Sequence, residues 1–230
     1  MNHSFDKAYW DQIWTGERAG SMGTSEANTH LIQEVGGLAP GSAIDAGCGA
    51  GAEAIWLATQ GWTVTAADVA EAALELAEQR AAAAGVAGQV QWVQADLSTW
   101  EPDGQYDLVT THYAHPEMPQ LEFYDRIASW VAPRGTLLVV GHLQHEVHDH
   151  DHDHDHDHHH DHRSTQGHGH GDEQTQPPSA ATATTDAITA LLDPEVWEIA
   201  TARESHRTLP GPGGRPTTVH DVVVRASRRG

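Results

Sequence analysis

Apolar residues fall into two rhythms along this chain, and the rhythm switches at regular intervals. Short apolar runs at 42–46, 63–67, 90–95, 106–111 and 136–141 have the length and β-branched content of buried strands. Between them, at 52–60, 71–84 and about 120–131, apolar residues recur every three or four positions, the spacing of a helix with one buried face. The 71–84 stretch carries Leu74, Ala77, Ala81 and Ala84 and stops at Gly85. Two helices precede the first strand: Phe5 to Trp14, with aromatics at Phe5, Tyr9, Trp10 and Trp14, and Asn28 to Val35, ended by Gly36-Gly37 and Pro40. Near the C-terminus a helix over Thr185 to Leu192 leads into two strands, Trp197 to Ser205 and Thr218 to Ala226, joined by Leu209-Pro-Gly-Pro-Gly-Gly. Strands alternating with helices predict an α/β protein with a doubly wound parallel sheet. The last two strands have no helix between them and should pair antiparallel. The expectation is a Rossmann-like, mostly parallel seven-stranded sheet closed by a C-terminal antiparallel hairpin.

The first strand runs into the densest chemical signal. Asp45 is followed by Gly47, Gly49 and Gly51 at alternate positions, then by the helical run from Ala52, a Gly61 break, and a second strand that ends on Asp68. Glycines here let backbone approach a ligand closely, and a carboxylate about 20 residues further on can accept hydrogen bonds from ribose hydroxyls. The unit predicts an adenosine cofactor. Gly47-x-Gly49-x-x-Ala52 also satisfies the dinucleotide pattern. Asp45 argues against that reading, because a carboxylate two residues before a pyrophosphate cradle is electrostatically unhelpful. A ligand carrying a sulfonium and an ammonium suits it.

The pattern Asp45-x-Gly47-x-Gly49-x-Gly51 with Asp68 closing the second strand resembles motif I of class I methyltransferases that use S-adenosylmethionine. The strand order and terminal hairpin extend the resemblance over almost the whole chain. Tyr9-Trp10-Asp11 and Gly61-Trp62-x-Val64 look like the small-molecule enzymes of the tellurite-resistance and thiopurine type. The resemblance implies that Asp45, Gly47 and Gly49 line the methionine half of the cofactor and that Gly51 starts the helix. It implies that Asp68 holds the ribose, that Val69 packs on the adenine, and that Asp96 and Leu97 meet the adenine amino group and ring. Two of these have structural alternatives: Asp68 with Glu71 reads as a capping box, and Asp96 as an N-cap before Ser98-Thr-Trp.

Composition narrows the setting. A formal net charge of −21 is unsuited to a nucleic-acid backbone or an anionic membrane. No run approaches a membrane span and the N-terminus lacks the regions of a signal peptide, so a cytoplasmic protein is expected. The single cysteine, Cys48, fits a reducing compartment and sits in the glycine turn, where packing and not nucleophilicity is expected.

Residues 144–174 hold 12 of the 19 histidines, with nine acidic groups against Arg163 alone. With almost no large apolar side chain, this segment cannot offset its ordering entropy. The chain is therefore read as one domain, 1–230, with a disordered His/Asp-rich insert at 144–178. His148, His150, His152, His154, His156, His158, His159, His160 and His162, alternating with carboxylates, form a flexible ligand set for nickel, zinc, copper or cobalt. One reading is a repeat tolerated in a surface loop; another is capture of a metal for the neighbouring site. A metal-buffering protein built on a methyltransferase scaffold is the alternative function.

Methyl transfer is an in-line displacement, in which the protein positions the reactants and excludes water. A thiolate or reduced metalloid anion needs no base, whereas a neutral oxygen or nitrogen acceptor does. In parallel sheets ligands sit beyond the carboxyl ends of the strands. That rule selects His112, Tyr113 and His115 after the fourth strand as catalytic candidates, with Pro116 beside them and His142 after the fifth. The plain alternative for the histidines is that they are satisfied polar loop residues. The expected activity is S-adenosylmethionine-dependent methyl transfer to a small molecule, a thiol or a metalloid anion.

Overall fold

A computed structural model describes residues 5–16, 20, 22–143, 181–210 and 216–230. The chain order is α1 (Lys7–Thr15), α2 (Thr29–Val35), β1 (Ser42–Ala46), α3 (Ala52–Thr59), β2 (Thr63–Asp68), α4 (Glu71–Ala83), β3 (Val90–Gln94) and β4 (Tyr106–His112). It continues with α5 (Gln120–Ala128), β5 (Val131–Leu143), β6 (Thr182–Ala183), α6 (Thr185–Thr189), β7 (Trp197–Pro210) and β8 (Pro216–Arg228). These strands form one sheet in the order β3-β2-β1-β4-β5-β8-β7, with β6 paired to β5. Pairing is parallel from β3 to β5 and antiparallel at β5–β8 and β7–β8.

The expected seven strands become eight because Thr182–Ala183 pairs in parallel with His142 and Leu143. A two-residue strand carries no periodicity to read. The hairpin strands run further than expected, since pairing continues from Trp197↔Arg228 to Pro210↔Pro216. The helix expected to reach position 131 stops at Ala128, because Val131 already pairs with Tyr106.

Successive residues of β5 point to opposite faces, as the two-residue strand period requires. Leu137 and Val139 join Ile44, Val109, Phe123 and Ile127 in one core cluster, while Leu138 and Val140 join Leu31, Leu57, Val64 and Val223 in the other. All twelve are essentially fully buried, so truncating one of the leucines, isoleucines or Phe123 to alanine should cost about 2–5 kcal/mol. The first two helices begin on side-chain caps, Asp6 accepting from the Tyr9 amide at 2.8 Å and Asn28 from the His30 amide at 2.9 Å. Among the described residues no helix is long and apolar enough to cross a membrane.

Candidate active site

The loop leaving β1 is pinned to the end of β2, as the Gly47 and Cys48 amides both donate to the Ala67 carbonyl, at 2.8 and 3.1 Å. Gly47 has φ +83°, and a Cβ there would overlap the Ala114 methyl. Gly49 has φ +50°, and a Cβ there would come within 2.9 Å of the Trp14 ring. Close approach to protein on two sides therefore demands glycine at both positions. Gly51 is constrained in the same way, with φ +75° and a Cβ that would come within 2.6 Å of Trp92 and 3.0 Å of Ala77 on α4, but it packs away from the cavity.

Over this loop lies a cavity of about 930 Å³. Gly47, Cys48, Gly49, Asp68, Val69, Asp96 and Leu97 line one flank, and His112, Tyr113, His115, Pro116 and Arg207 line the other. Phe5, Trp10 and Trp14 from the N-terminal segment also line it. The Trp10 indole donates to the His115 carbonyl at 3.1 Å, which ties α1 to the loop after β4. Arg80 ties a second part of the N-terminal segment to the glycine loop, donating to the Ala50 carbonyl at 2.9 Å and the Ser25 carbonyl at 2.6 Å.

Three carboxylates surround the loop. Asp68 accepts from the Gly49 amide at 2.8 Å on one oxygen and from the Ala70 amide at 2.9 Å on the other. Each oxygen keeps a further acceptor site. Burial nevertheless raises its ionisation above the usual carboxylate range. Glu53, near the start of α3, accepts from the Asn28 amide at 3.1 Å and is also raised by burial. Asp45 is 1% exposed and raised further, first by burial and then by the charges of Glu53 and Asp68. Its Oδ2 is buried without a partner. Three enclosed acids, offset only in part by backbone amides and by Arg80 and Arg207, and with one Asp45 oxygen unpartnered, favour a cationic ligand. Cys48, pushed up by burial and these same charges, is a poor nucleophile. Asp96 receives the Ser98 amide at 2.9 Å and the Ser98 hydroxyl at 2.6 Å on one oxygen, the capping arrangement that its alternative reading anticipates.

The opposite flank is built around Asp221 of β8, which is fully buried. It accepts from the Tyr113 hydroxyl at 2.8 Å and the Arg207 Nε at 2.7 Å, and its Oδ2 lies 3.2 Å from His30 Nε2. Arg207 also donates to the Tyr113 hydroxyl at 2.7 Å. Tyr113 is held at φ +55°, an unusual conformation for a bulky residue. Burial and Asp221 push its ionisation well up, so it does not supply a phenolate. Burial, followed by the nearby His30, pushes His112 down to about 3, and burial with neighbouring His115 pushes His142 to about 4. His115 is lowered by burial and partly restored by Gln120. These three histidines are neutral at physiological pH.

Of the residues picked from sequence, Gly47, Gly49, Asp68, Val69, Asp96, Leu97, His112, Tyr113 and His115 meet around this one cavity. Asp45 and Gly51 do not line it. The nine histidines from His148 to His162 lie outside the described residues, as does the whole of the 144–178 insert. Among the described residues no group of three or more His, Cys, Asp or Glu is placed to hold a metal. Sequence reasoning missed Glu53, Asn28, Arg80, Arg207 and Asp221. Glu53 had a signal, as the first charge after the glycine loop; Arg207 and Asp221 sit in strands with no motif around them.

Comparison with known proteins agrees with this geometry. Residues 43–135 match the methyltransferase domain family. The ubiquinone biosynthesis O-methyltransferase of Pseudomonas aeruginosa is 37% identical over 79 residues, covering 34% of this chain and 34% of that protein. The ribosomal RNA small subunit methyltransferase C of Alcanivorax borkumensis is 38% identical over 74 residues, 32% of this chain and 22% of that protein. The chain thus matches only about a fifth to a third of the length of those relatives. Among solved structures, TehB from Haemophilus influenzae superimposes with a TM-score of 0.66 at 12% identity, over 96% of this chain and 67% of that one. Magnesium protoporphyrin IX methyltransferase (ChlM) from Synechocystis PCC 6803, solved with bound SAM, gives 0.61 at 17% identity over 99% of this chain and 100% of that one. The family match spans β1 to the start of β5, and over nearly the whole chain the Rossmann-like fold is the one that TehB and ChlM share.

Proposed function

We propose that this chain transfers a methyl group from S-adenosylmethionine to a small molecule, as a single domain in which 144–178 is an insertion. The observation that carries the reading is the acidic surround of the glycine loop. Asp45, Glu53 and Asp68 would repel a pyrophosphate, yet they complement an ammonium and a sulfonium. Asp45 acts from behind the loop, through its field, while Gly47 and Gly49 offer backbone to the methionine half. Asp68 keeps acceptor capacity for ribose hydroxyls, and Val69, Asp96 and Leu97 supply the adenine wall. The cofactor, when bound, supplies a methyl group activated by its positive sulfur.

The chain's own contribution is positioning and dryness. Phe5, Trp10 and Trp14 shield the cavity, and exclusion of water strengthens every charge interaction inside it. The cavity's 930 Å³ leaves room for a small acceptor beside the cofactor. A thiol or metalloid anion is the acceptor class proposed, because Arg207, paired with Asp221, also brings its guanidinium to the cavity wall. Titration calorimetry with S-adenosylmethionine, followed by transfer of labelled methyl to a panel of thiols, selenite, tellurite, phenols and amines, tests the reading. Binding that Asp68→Ala weakens at least tenfold, with transfer to some acceptor, is expected. Absence of cofactor binding would sink it.

A further inference from the structure

The amide of Gln120 fixes which nitrogen of His115 carries its proton. Gln120 Nε2 donates to the Ala114 carbonyl at 3.0 Å, and only the NH₂ end of an amide can do so. Its Oε1 is therefore the atom that faces His115 Nδ1 at 3.0 Å. An amide oxygen accepts, so Nδ1 must donate, and a neutral imidazole then has its lone pair on Nε2. Gln120 is itself 5% exposed and begins α5, so this orientation is set by a helix and a strand end, not by a mobile surface chain. His115 lines the cavity and follows Ala114, the residue packed against Gly47 of the glycine loop. Its ring is clamped between Phe5 at 5.4 Å and His142 at 5.5 Å, with Trp10 stacked at 6.5 Å.

From this geometry we infer that His115 Nε2 is the general base of the site and that the acceptor arrives as a neutral S–H or O–H group. The inference rests on the methyl-transfer reading and deepens it, choosing a protic acceptor over a preformed metalloid oxyanion. The other candidates are less suited. The His112 Nε2 is buried with no partner, and the Tyr113 hydroxyl is already donating to Asp221. In the step itself the acceptor's lone pair forms a bond to the methyl carbon while its proton passes to Nε2. The electron pair of the old carbon–sulfur bond stays on the leaving sulfur, which becomes a neutral thioether. His115 is left as an imidazolium and returns its proton to water. Gln120 is a positioning residue that acts through His115.

The test uses the full chain with 2-mercaptoethanol and phenol as acceptors, and a ¹⁵N-histidine NMR spectrum as a readout independent of turnover. The titratable side chain facing His115 is His142 from β5; α1 presents Phe5 and Trp10, and α5 presents Gln120. The spectrum should show His115 protonated on Nδ1 alone at pH 7, and Gln120→Leu should mix the two tautomers. His115→Gln should lower kcat for 2-mercaptoethanol about 10²–10⁴-fold at pH 7 without changing the Kd for S-adenosylmethionine. That deficit should close as pH rises toward the thiol's own ionisation, since a thiolate needs no base. A proton found on Nε2, a deficit that is the same at every pH, or no deficit at pH 7 would each overturn the inference. So would a wild-type enzyme that binds the cofactor yet methylates tellurite or selenite and neither protic probe. Failure to bind the cofactor at all would instead remove the methyl-transfer reading, and this inference with it.

Discussion

Asp221→Ala is the most demanding test of how the acceptor flank is held. The carboxylate is fully buried and serves Tyr113 at 2.8 Å, Arg207 at 2.7 Å and His30 at 3.2 Å. Removing one member of a buried ion pair costs about 3–5 kcal/mol, mostly because the surviving charge loses its compensation. Arg207 retains 29% side-chain exposure and can recover some hydration, which puts the expected loss near the lower end, about 3 kcal/mol. That is roughly a hundredfold shift in the folding equilibrium. Urea unfolding followed by tryptophan fluorescence reads it as a lower midpoint at unchanged slope. The double variant Asp221→Ala/Arg207→Met should recover at least half the loss, since it removes the stranded cation as well. A loss under about 1 kcal/mol in the single variant, or no recovery in the double, would show that the network is solvated and holds nothing.

Asp45→Asn should raise the Tm of the ligand-free protein at pH 7, by roughly 2–4 °C for each kcal/mol recovered, while weakening S-adenosylmethionine binding. The sign follows from a folded ionisation raised above the unfolded one: the native state binds the extra proton, so wild-type stability falls as pH climbs through that interval, and the variant should lack this fall. A Tm unchanged by the substitution from pH 5 to 8 would contradict it. Gly47→Ala forces a methyl into Ala114 at φ +83° and should abolish cofactor binding; a variant that binds within threefold of wild type would show that the loop has slack. The 148–162 sequence should bind nickel at pH 7.5 and lose most of that affinity by pH 5, as protonation takes residues 144–174 from about −8 to about +4. Equal affinity at the two pH values by calorimetry would refute imidazole ligation.

The fold was legible because the parallel strands are buried on both faces and read as short apolar runs. Ala43, Ile44, Val64, Leu108 and Val109 could sit nowhere else. The glycine-loop flank of the cavity was legible because glycine spacing and strand-end acids are local in sequence. Asp45 shows the limit of that reading: the motif marks it as a contact, whereas its place behind the loop depends on where α3 and β2 carry Glu53 and Asp68. The acceptor flank was half legible. His112, Tyr113 and His115 follow from a rule about strand ends, but their partners come from far along the chain, Arg207 and Asp221 from the hairpin and Asn28 and His30 from the second helix. Such contacts leave no spacing to detect. The left-handed backbone of Tyr113 was equally invisible, since tyrosine carries no preference for it.

The two-residue pairing of β6 with the end of β5 has a consequence for how this gene can change. Leu143 and Ala183 are register partners on neighbouring strands, so the chain re-enters the sheet about 5 Å from where it left. Joining two such close points sets almost no minimum length for the connection. Closure entropy grows only with the logarithm of length, and doubling or halving the connection alters it by about 0.6 kcal/mol. Slippage of a short codon repeat at this junction would therefore be filtered by what the added residues do, and hardly at all by folding. The same junction is a port for a reporter or an affinity handle.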